Sequence, residues 1–255
     1  CLSFNQDGDL AEDLNVEIGQ GYYLVNLEDE TITIDGDLLQ NYTLELDKGW
    51  NLISNPLVTT INVDSIKISY NDVEISWNDA IAMGDVLSAK LIGFDNSAAM
   101  HDVFNSINPF QGYWIHSQLD GAKLLFNPHN NLEESANIDS FNELDWKLKI
   151  TASEKNPTNP EFSISDYVII GFDEDADESF SYSEDLYDIP AILNYRFTNL
   201  YINHSFDWFI NNVVDDNGVS IESPRFMSDI RRPLNVGDYK EFKINGELLG
   251  PINSS

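Results

Sequence analysis

Apolar and polar residues alternate with period two through much of this chain, which is the pattern of half-buried strands. Ile66, Ile68 and Tyr70 alternate with polar neighbours, as do Val73, Ile75 and Trp77. Asn71-Asp72 between the two runs predicts a two-residue hairpin turn. Asn78 is placed to cap a short helix running to about Leu87. Gly112 to His116 reads as a strand with two usable faces, Tyr113 and Ile115 on one and Trp114 and His116 on the other. Further along, Trp146, Leu148 and Ile150 alternate with Lys147, Lys149 and Thr151, again a half-buried strand. Tyr167–Phe172 is apolar on both faces and is expected at the centre of a sheet. Leu200–Ile202, Trp208–Ile210, Phe226–Ile230 and Tyr239–Ile244 continue at sandwich-like spacing, and Pro157, Pro160, Pro190, Pro224 and Pro233 argue against long helices. The pattern predicts a mainly all-β protein.

Internal repetition organises the first half. Leu2–Asn5 (LSFN) matches Ile92–Asp95 (IGFD), and Ile18–Val25 (IGQGYYLV) matches Pro109–His116 (PFQGYWIH), both at offsets of about ninety residues. A short apolar strand follows each, Thr31–Ile34 in the first copy and Lys123–Phe126 in the second. Only the second copy has a front half, GWNLISNPL from Gly49, so Cys1 reads as a boundary rather than a lipidated terminus. The stretch Asn127–Asn142 is rich in Asn, Glu and Ser and poor in apolar residues. The expected organisation is tandem small β-rich repeat modules followed by a β-sandwich. Residues 1–43 are the back half of a GYW-type repeat, 44–130 a complete GWN…GYW repeat, 131–143 a linker and 144–255 the sandwich. A half-repeat leaves apolar strand faces uncovered, so residues 1–40 are not expected to form an independent domain.

Charge then narrows the function. Among 255 residues, 44 Asp and Glu oppose 13 Lys and Arg, a formal net charge of −31. That excludes an ordinary nucleic-acid binder, which needs cations to displace phosphate counterions, and disfavours anionic lipid surfaces. No basic residue precedes Lys48, and none lies between Lys155 and Arg196. With 28 Asn, the composition fits turns and solvated strands in an extracellular or saline setting. One Cys excludes a disulfide scaffold, and no apolar run is long enough to predict membrane insertion.

The motif residues carry a resemblance. GWNLISNPL followed some sixty residues later by GYWI resembles a repeated β-rich module of large secreted bacterial proteins. DWKLKI, DYVIIGF, an acidic loop with Ala176 and Phe180, YDIP at Tyr187–Pro190, LYINHSFDW and DIR at Asp229–Arg231 are similar to a second module. That module is a β-sandwich standing before the C-terminal sorting domain of type IX secretion cargo. The resemblance implies an extracellular surface protein without a transferable catalytic set. Ser179 and Ser181 stand where the acidic-loop pattern has Gly and Asp.

Three constellations could carry chemistry. Asp173, Asp175, Asp177, Glu178 and Asp188, with Glu174, Glu184 and Asp185 nearby, could supply the six to eight oxygens that calcium takes; a solvated acidic loop is the plain alternative. Calcium is the one cofactor to which the sequence points, and Asn5, Asp7 and Asp9 form a weaker cluster of the same kind. Trp114, Tyr113 and Trp50 could stack on sugar rings, against the alternative that they fill small cores. His101, His116, His129 and His204 show no metal-binding spacing, and His204, Ser205 and Asp207 are too close in sequence for a hydrolase triad. The expectation is a non-catalytic structural or adhesive segment, with other modules or subunits of a surface assembly, or surface glycans, as partners. The alternative is a glycan-binding accessory module of a larger secreted enzyme.

Overall fold

The computed structural model describes residues 2–4, 17–25, 36–37, 39–83, 90–95, 97–127, 144–153, 165–177, 181, 185–190, 197–203, 225–233 and 242–249. The expectations for Asn5–Asp9, Thr31–Ile34, the linker 131–143, His204 and Trp208–Ile210 lie outside these residues. The fold is mostly β, with several sheets. It divides into two compact units, residues 1–94 with 102–138 and residues 95–101 with 139–255. Nothing in the repeat pattern signals the assignment of 95–101.

The first unit carries β1 (Leu2–Phe4), β2 (Tyr23–Val25), β3 (Tyr42–Leu46), β4 (Gly49–Ser54), β5 (Ile61–Asn62), β6 (Lys67–Tyr70) and β7 (Val73–Ser76). After α1 (Trp77–Met83) come β8 (Leu91–Asp95), β9 (Met100–Phe104, straddling the division), β10 (Ser106–Ile107), β11 (Gly112–Ser117) and β12 (Ala122–Phe126). Asn71 and Asp72 both take positive φ, 51° and 62°, as the tight turn between β6 and β7 requires, and Tyr70 pairs with Val73. Helix α1 is capped two residues before Asn78, by Ser76. The Ser76 hydroxyl accepts from Asp79 N (3.0 Å) and donates to the Asp79 carboxylate (2.7 Å), a variant of the capping box with Asp in the third position. Asn78 instead donates to Asp64 Oδ1 at 3.3 Å.

One sheet runs β3-β12-β6-β7. Leu124 lies opposite Leu44 on one side and Ile68 on the other, so alternate residues of three strands present one apolar face. Strand β3 begins at Tyr42, inside the segment that the repeat pattern assigned to the preceding half-repeat. In the other sheet β11 lies between β4 and β8, so the GWN and GYW motifs are neighbouring antiparallel strands. Ile53, Leu91, Tyr113 and Ile115 from this sheet join Leu46, Ile68, Leu124 and Phe126 in one buried core, closed by Trp77 and Ala80 of α1. Gly93 lies opposite Tyr113. A Cβ there would sit 2.8 Å from the Tyr113 ring and 2.9 Å from Phe104, so only glycine lets that ring lie flat on the strand.

The two copies use the same strand pair. β1 pairs antiparallel with β2, Phe4 opposite Tyr23, as β8 pairs with β11, Ile92 opposite Trp114; the aligned motifs are offset by two residues, which preserves their faces. Strand β4 serves both copies. One edge takes β11, and at the other Gly21 N donates to Leu52 O (2.9 Å), Ser54 N donates to Gly19 O (2.8 Å), and Gln20 bridges Ile53. The half-repeat therefore packs on the copy that follows it.

The second unit carries β13 (Trp146–Ser153), β14 (Ser165–Phe172), β15 (Phe197–Asn203), β16 (Arg225–Phe226), β17 (Ser228–Arg231) and β18 (Ile244–Leu249). β14 is central as expected, antiparallel to β13 and parallel to β17. A second sheet runs β16-β15-β18. Val168 and Ile170 meet Leu200, Ile202 and Phe226 in the core, with Ile150, Ala152 and Ile244 at its margin. Of the strand expected over Tyr239–Ile244, residues 239–241 lie outside the described residues; β18 begins at Ile244, after Phe242 and Lys243, and runs on to Leu249. In β13, Trp146 and Leu148 remain exposed, and burial begins at Ile150.

Candidate functional site

In and beside the GWN and GYW motifs, Asn51, Asn55 and Gln111 each bond the backbone. Asn51 is buried; its Oδ1 accepts from Asp47 N (3.0 Å) and its Nδ2 donates to Asp47 O (2.8 Å) and Gly49 O (3.0 Å). Asn55 Nδ2 donates to Thr59 O (2.9 Å) and Ile107 O (2.7 Å), and its Oδ1 accepts from Leu57 N (2.8 Å). Gln111 Nε2 donates to Phe94 O (3.0 Å), while its Oε1 accepts from the Tyr113 hydroxyl (3.0 Å). That hydroxyl in turn accepts from Asn108 N at 2.9 Å. Each amide ties a turn to main-chain N–H or C=O groups of the neighbouring backbone.

The three candidate sugar-stacking aromatics part company. Tyr113 is fully buried in the core, and Trp114 is only 3% exposed. Neither offers a ring face to a ligand, because both faces of β11 are covered. Trp114 Nε1 donates to the Tyr23 hydroxyl at 2.7 Å, so the preceding copy supplies part of the cover. Burial pushes the Tyr23 hydroxyl up to about 12 and outweighs that bond, and it also raises Tyr113. Trp50 is half-buried, edge-on to Trp114 (6.2 Å) and to His116 (5.1 Å). Burial holds His116 down to about 4, so the ring is neutral at pH 7.

The acidic loop is equally divided. Asp173 Oδ1 accepts from Asp175 N at 2.9 Å, and Asp173 O accepts from Ala176 N at 3.2 Å, a tight Asx-type turn. Glu174, Asp175 and Asp177 face solvent, Ala176 is buried, and Glu178 lies outside the described residues. Asp185 is fully buried: Oδ1 accepts from Ile230 N (2.8 Å) and Oδ2 from Ser181 N (2.9 Å). Beside it the Ser228 hydroxyl accepts from Leu186 N at 2.7 Å. Among the described residues, no three Asp, Glu, His or Cys side chains converge as a metal set.

Asp188 stands in another setting, which the sequence did not reveal. Its backbone N donates to Arg225 O (2.9 Å). Burial drives its carboxyl well above the usual range, with the Asp166 charge adding to the rise and a hydrogen bond from Asn199 opposing it. Asp166 accepts from Leu200 N (2.6 Å) and Tyr167 N (2.8 Å), yet burial still raises it to about 6. Arg225 pairs with Glu247 and lies over the Tyr201 ring, 4.2 Å from its centroid. The arrangement retains protons in the folded state near pH 6. The DIR motif is also internal: Asp229 is buried and takes the Arg231 guanidinium in a fork, at 2.9 Å from Nε to Oδ1 and 2.6 Å from Nη2 to Oδ2. In YDIP, the Tyr187 ring stacks on Phe226 with centroids 5.2 Å apart.

The chain matches no protein-family model, no curated protein and no solved structure.

Proposed function

We propose that the chain is a non-catalytic structural and adhesive segment of a secreted bacterial surface protein, its modules acting as spacers and contact points. One observation carries this reading: buried or turn-forming polar side chains in both units are engaged by the chain's own backbone. Asn51, Asn55, Gln111, Asp185 and Ser228 each satisfy main-chain groups, which is what a module selected for shape requires of its polar residues. The excess of 31 negative charges supports an extracellular, salt-screened setting.

The test exploits the opposite stability signatures of functional and structural residues. Removing a catalytic or ligand-binding polar group commonly leaves stability unchanged or raises it. Removing a structural one leaves buried groups unpaired, at ~1–3 kcal/mol each. Asn51→Ala and Gln111→Ala should each lower the unfolding free energy by at least ~1 kcal/mol in urea titrations. Unchanged or increased stability in both would overturn the structural reading.

A further inference from the structure

The structural reading leaves one feature of the first unit unused. Phe110 is 89% exposed, the most exposed large apolar residue described, and it adopts φ +61°. It occupies the third position of the turn Asn108–Gln111, after Pro109, where a positive φ favours glycine. The matched residue of the first copy is Gly19, at φ +80°. There the same turn is already seated on the next module. Tyr42 donates to Ile18 O (3.0 Å), Ser54 N donates to Gly19 O (2.8 Å), and a Cβ on Gly19 would lie 3.0 Å from Tyr42 and 3.2 Å from Leu44. The covered turn carries glycine; the uncovered one carries a strained aromatic. Strain retained at an exposed position points to a use.

The surroundings agree. A second turn, Asn55–Thr60, lies alongside: Asn55 Nδ2 donates to Ile107 O (2.7 Å), Thr60 Oγ1 donates to Asn108 Oδ1 (3.0 Å), and β5 pairs with β10. It displays Val58, 57% exposed. The two turns therefore form one rigid apolar tip. The segments Gly49–Val63 and Val103–Leu119 contain no Asp, Glu, Lys or Arg, in a chain with 57 such residues (44 plus 13).

We propose that this tip is a self-association surface that takes the equivalent tip of a second copy, Phe110 of each packing beside Val58 of the other. Two arguments select that occupant. The matched turn of the first copy already makes a contact between modules. Copies each carrying −31 can approach closely only through surface without charge. A protruding, unbraced ring is a poor platform for a sugar, and one Phe with one Val is too small an anchor for stable membrane binding. Two loop tips bury far less than the ~1,200 Å² of a stable complex, so the contact is weak and gains strength by repetition along an assembly.

Sedimentation velocity on the full chain, from about 10 μM to about 1 mM, tests this in low salt and in ~0.5 M sodium chloride, where repulsion is screened. The expected result is reversible dimerisation in the upper part of that range, stronger in high salt, and weakened at least tenfold by Phe110→Gly. Glycine suits the turn, so its unchanged or raised melting temperature shows that the fold is intact. A monomer under all conditions, or association unaffected by Phe110→Gly, overturns the proposal. So does Phe110-dependent binding to phosphatidylcholine vesicles by a chain that stays monomeric. The inference rests on the interaction-module reading, but the two fail separately: monomeric behaviour removes only the self-contact, whereas stability indifferent to both Asn51→Ala and Gln111→Ala removes the reading beneath it.

Discussion

Replacing Asp185 should unfold the second unit more readily than any change in the acidic turn before it. The carboxylate is fully buried and accepts two backbone N–H groups, from Ile230 at 2.8 Å and Ser181 at 2.9 Å. Asp185→Ala leaves both donors unpaired, and a buried unsatisfied donor costs ~1–3 kcal/mol. The expected loss is therefore ~3–5 kcal/mol, a large share of the 5–15 kcal/mol typical of whole domains. Asp185→Asn keeps one carbonyl acceptor but turns an amide NH2 toward the other N–H, donor against donor. It should fall between wild type and Asp185→Ala. Asp175→Ala, at a solvent-facing position of the same loop, should stay within ~0.5 kcal/mol of wild type. Urea unfolding followed by tryptophan fluorescence ranks the four proteins. The reasoning fails if Asp185→Ala matches wild type, or if Asp185→Asn is as stable as wild type. If chelator destabilises wild type but not Asp185→Ala, the carboxylate is a metal ligand rather than a backbone acceptor.

Acidification should reveal two opposing groups. Burial holds His101 and His116 down to about 4 against an ordinary 6.5. The unfolded chain therefore binds protons first, and their stabilisation, present above pH 6.5, is lost as pH falls toward 4, ~3 kcal/mol for each ring. Asp166, raised from 3.8 to about 6, acts oppositely: its contribution is fully present below 3.8 and disappears as pH rises through 6. His116→Gln and Asp166→Asn should tilt the stability–pH curve in opposite senses between pH 4 and 6.5, and parallel curves in urea midpoints would refute the assignment. Millimolar calcium at fixed ionic strength should leave the melting temperature unchanged, because Asp173 Oδ1 is taken by Asp175 N and its described acidic neighbours face solvent. A calcium-specific rise lost in Asp175→Asn would show instead that the loop gathers around the ion.

Features encoded by neighbours in sequence were legible; those created by distant approach were not. Asn71-Asp72 specifies its hairpin because the turn conformation is a property of those two residues. The continuous apolar run Tyr167–Phe172 specifies a central strand for the same local reason. The cap of α1 was misread because Ser76 and Asn78 are both good capping residues, and only the Asp79 contact chooses between them. β3 went unseen because its alternation, Tyr42, Leu44 and Leu46, spans the boundary drawn for the repeat. Trp114 looked available because alternation gives a strand two faces without saying that Tyr23, ninety-one residues away, reaches across to bond it. The raised carboxyls of Asp166 and Asp188 are further from legibility. Nothing in either segment tells that a loop after β14 returns beside the start of that strand.

The doubly paired strand β4 bears on solubility. An apolar, uncharged strand at the rim of a sheet is a template for pairing with any other extended chain, and proteins usually guard such rims with lysine, proline or a bulge. β4 reads GWNLIS and has no such guard. Its Leu52–Ser54 half is closed instead by Gly19–Gly21 of the preceding copy. In an array of these modules, each copy would thus shield the next from fibrous, edge-to-edge growth. The copy most exposed to that hazard would be one deprived of its predecessor, as after proteolysis ahead of Tyr42.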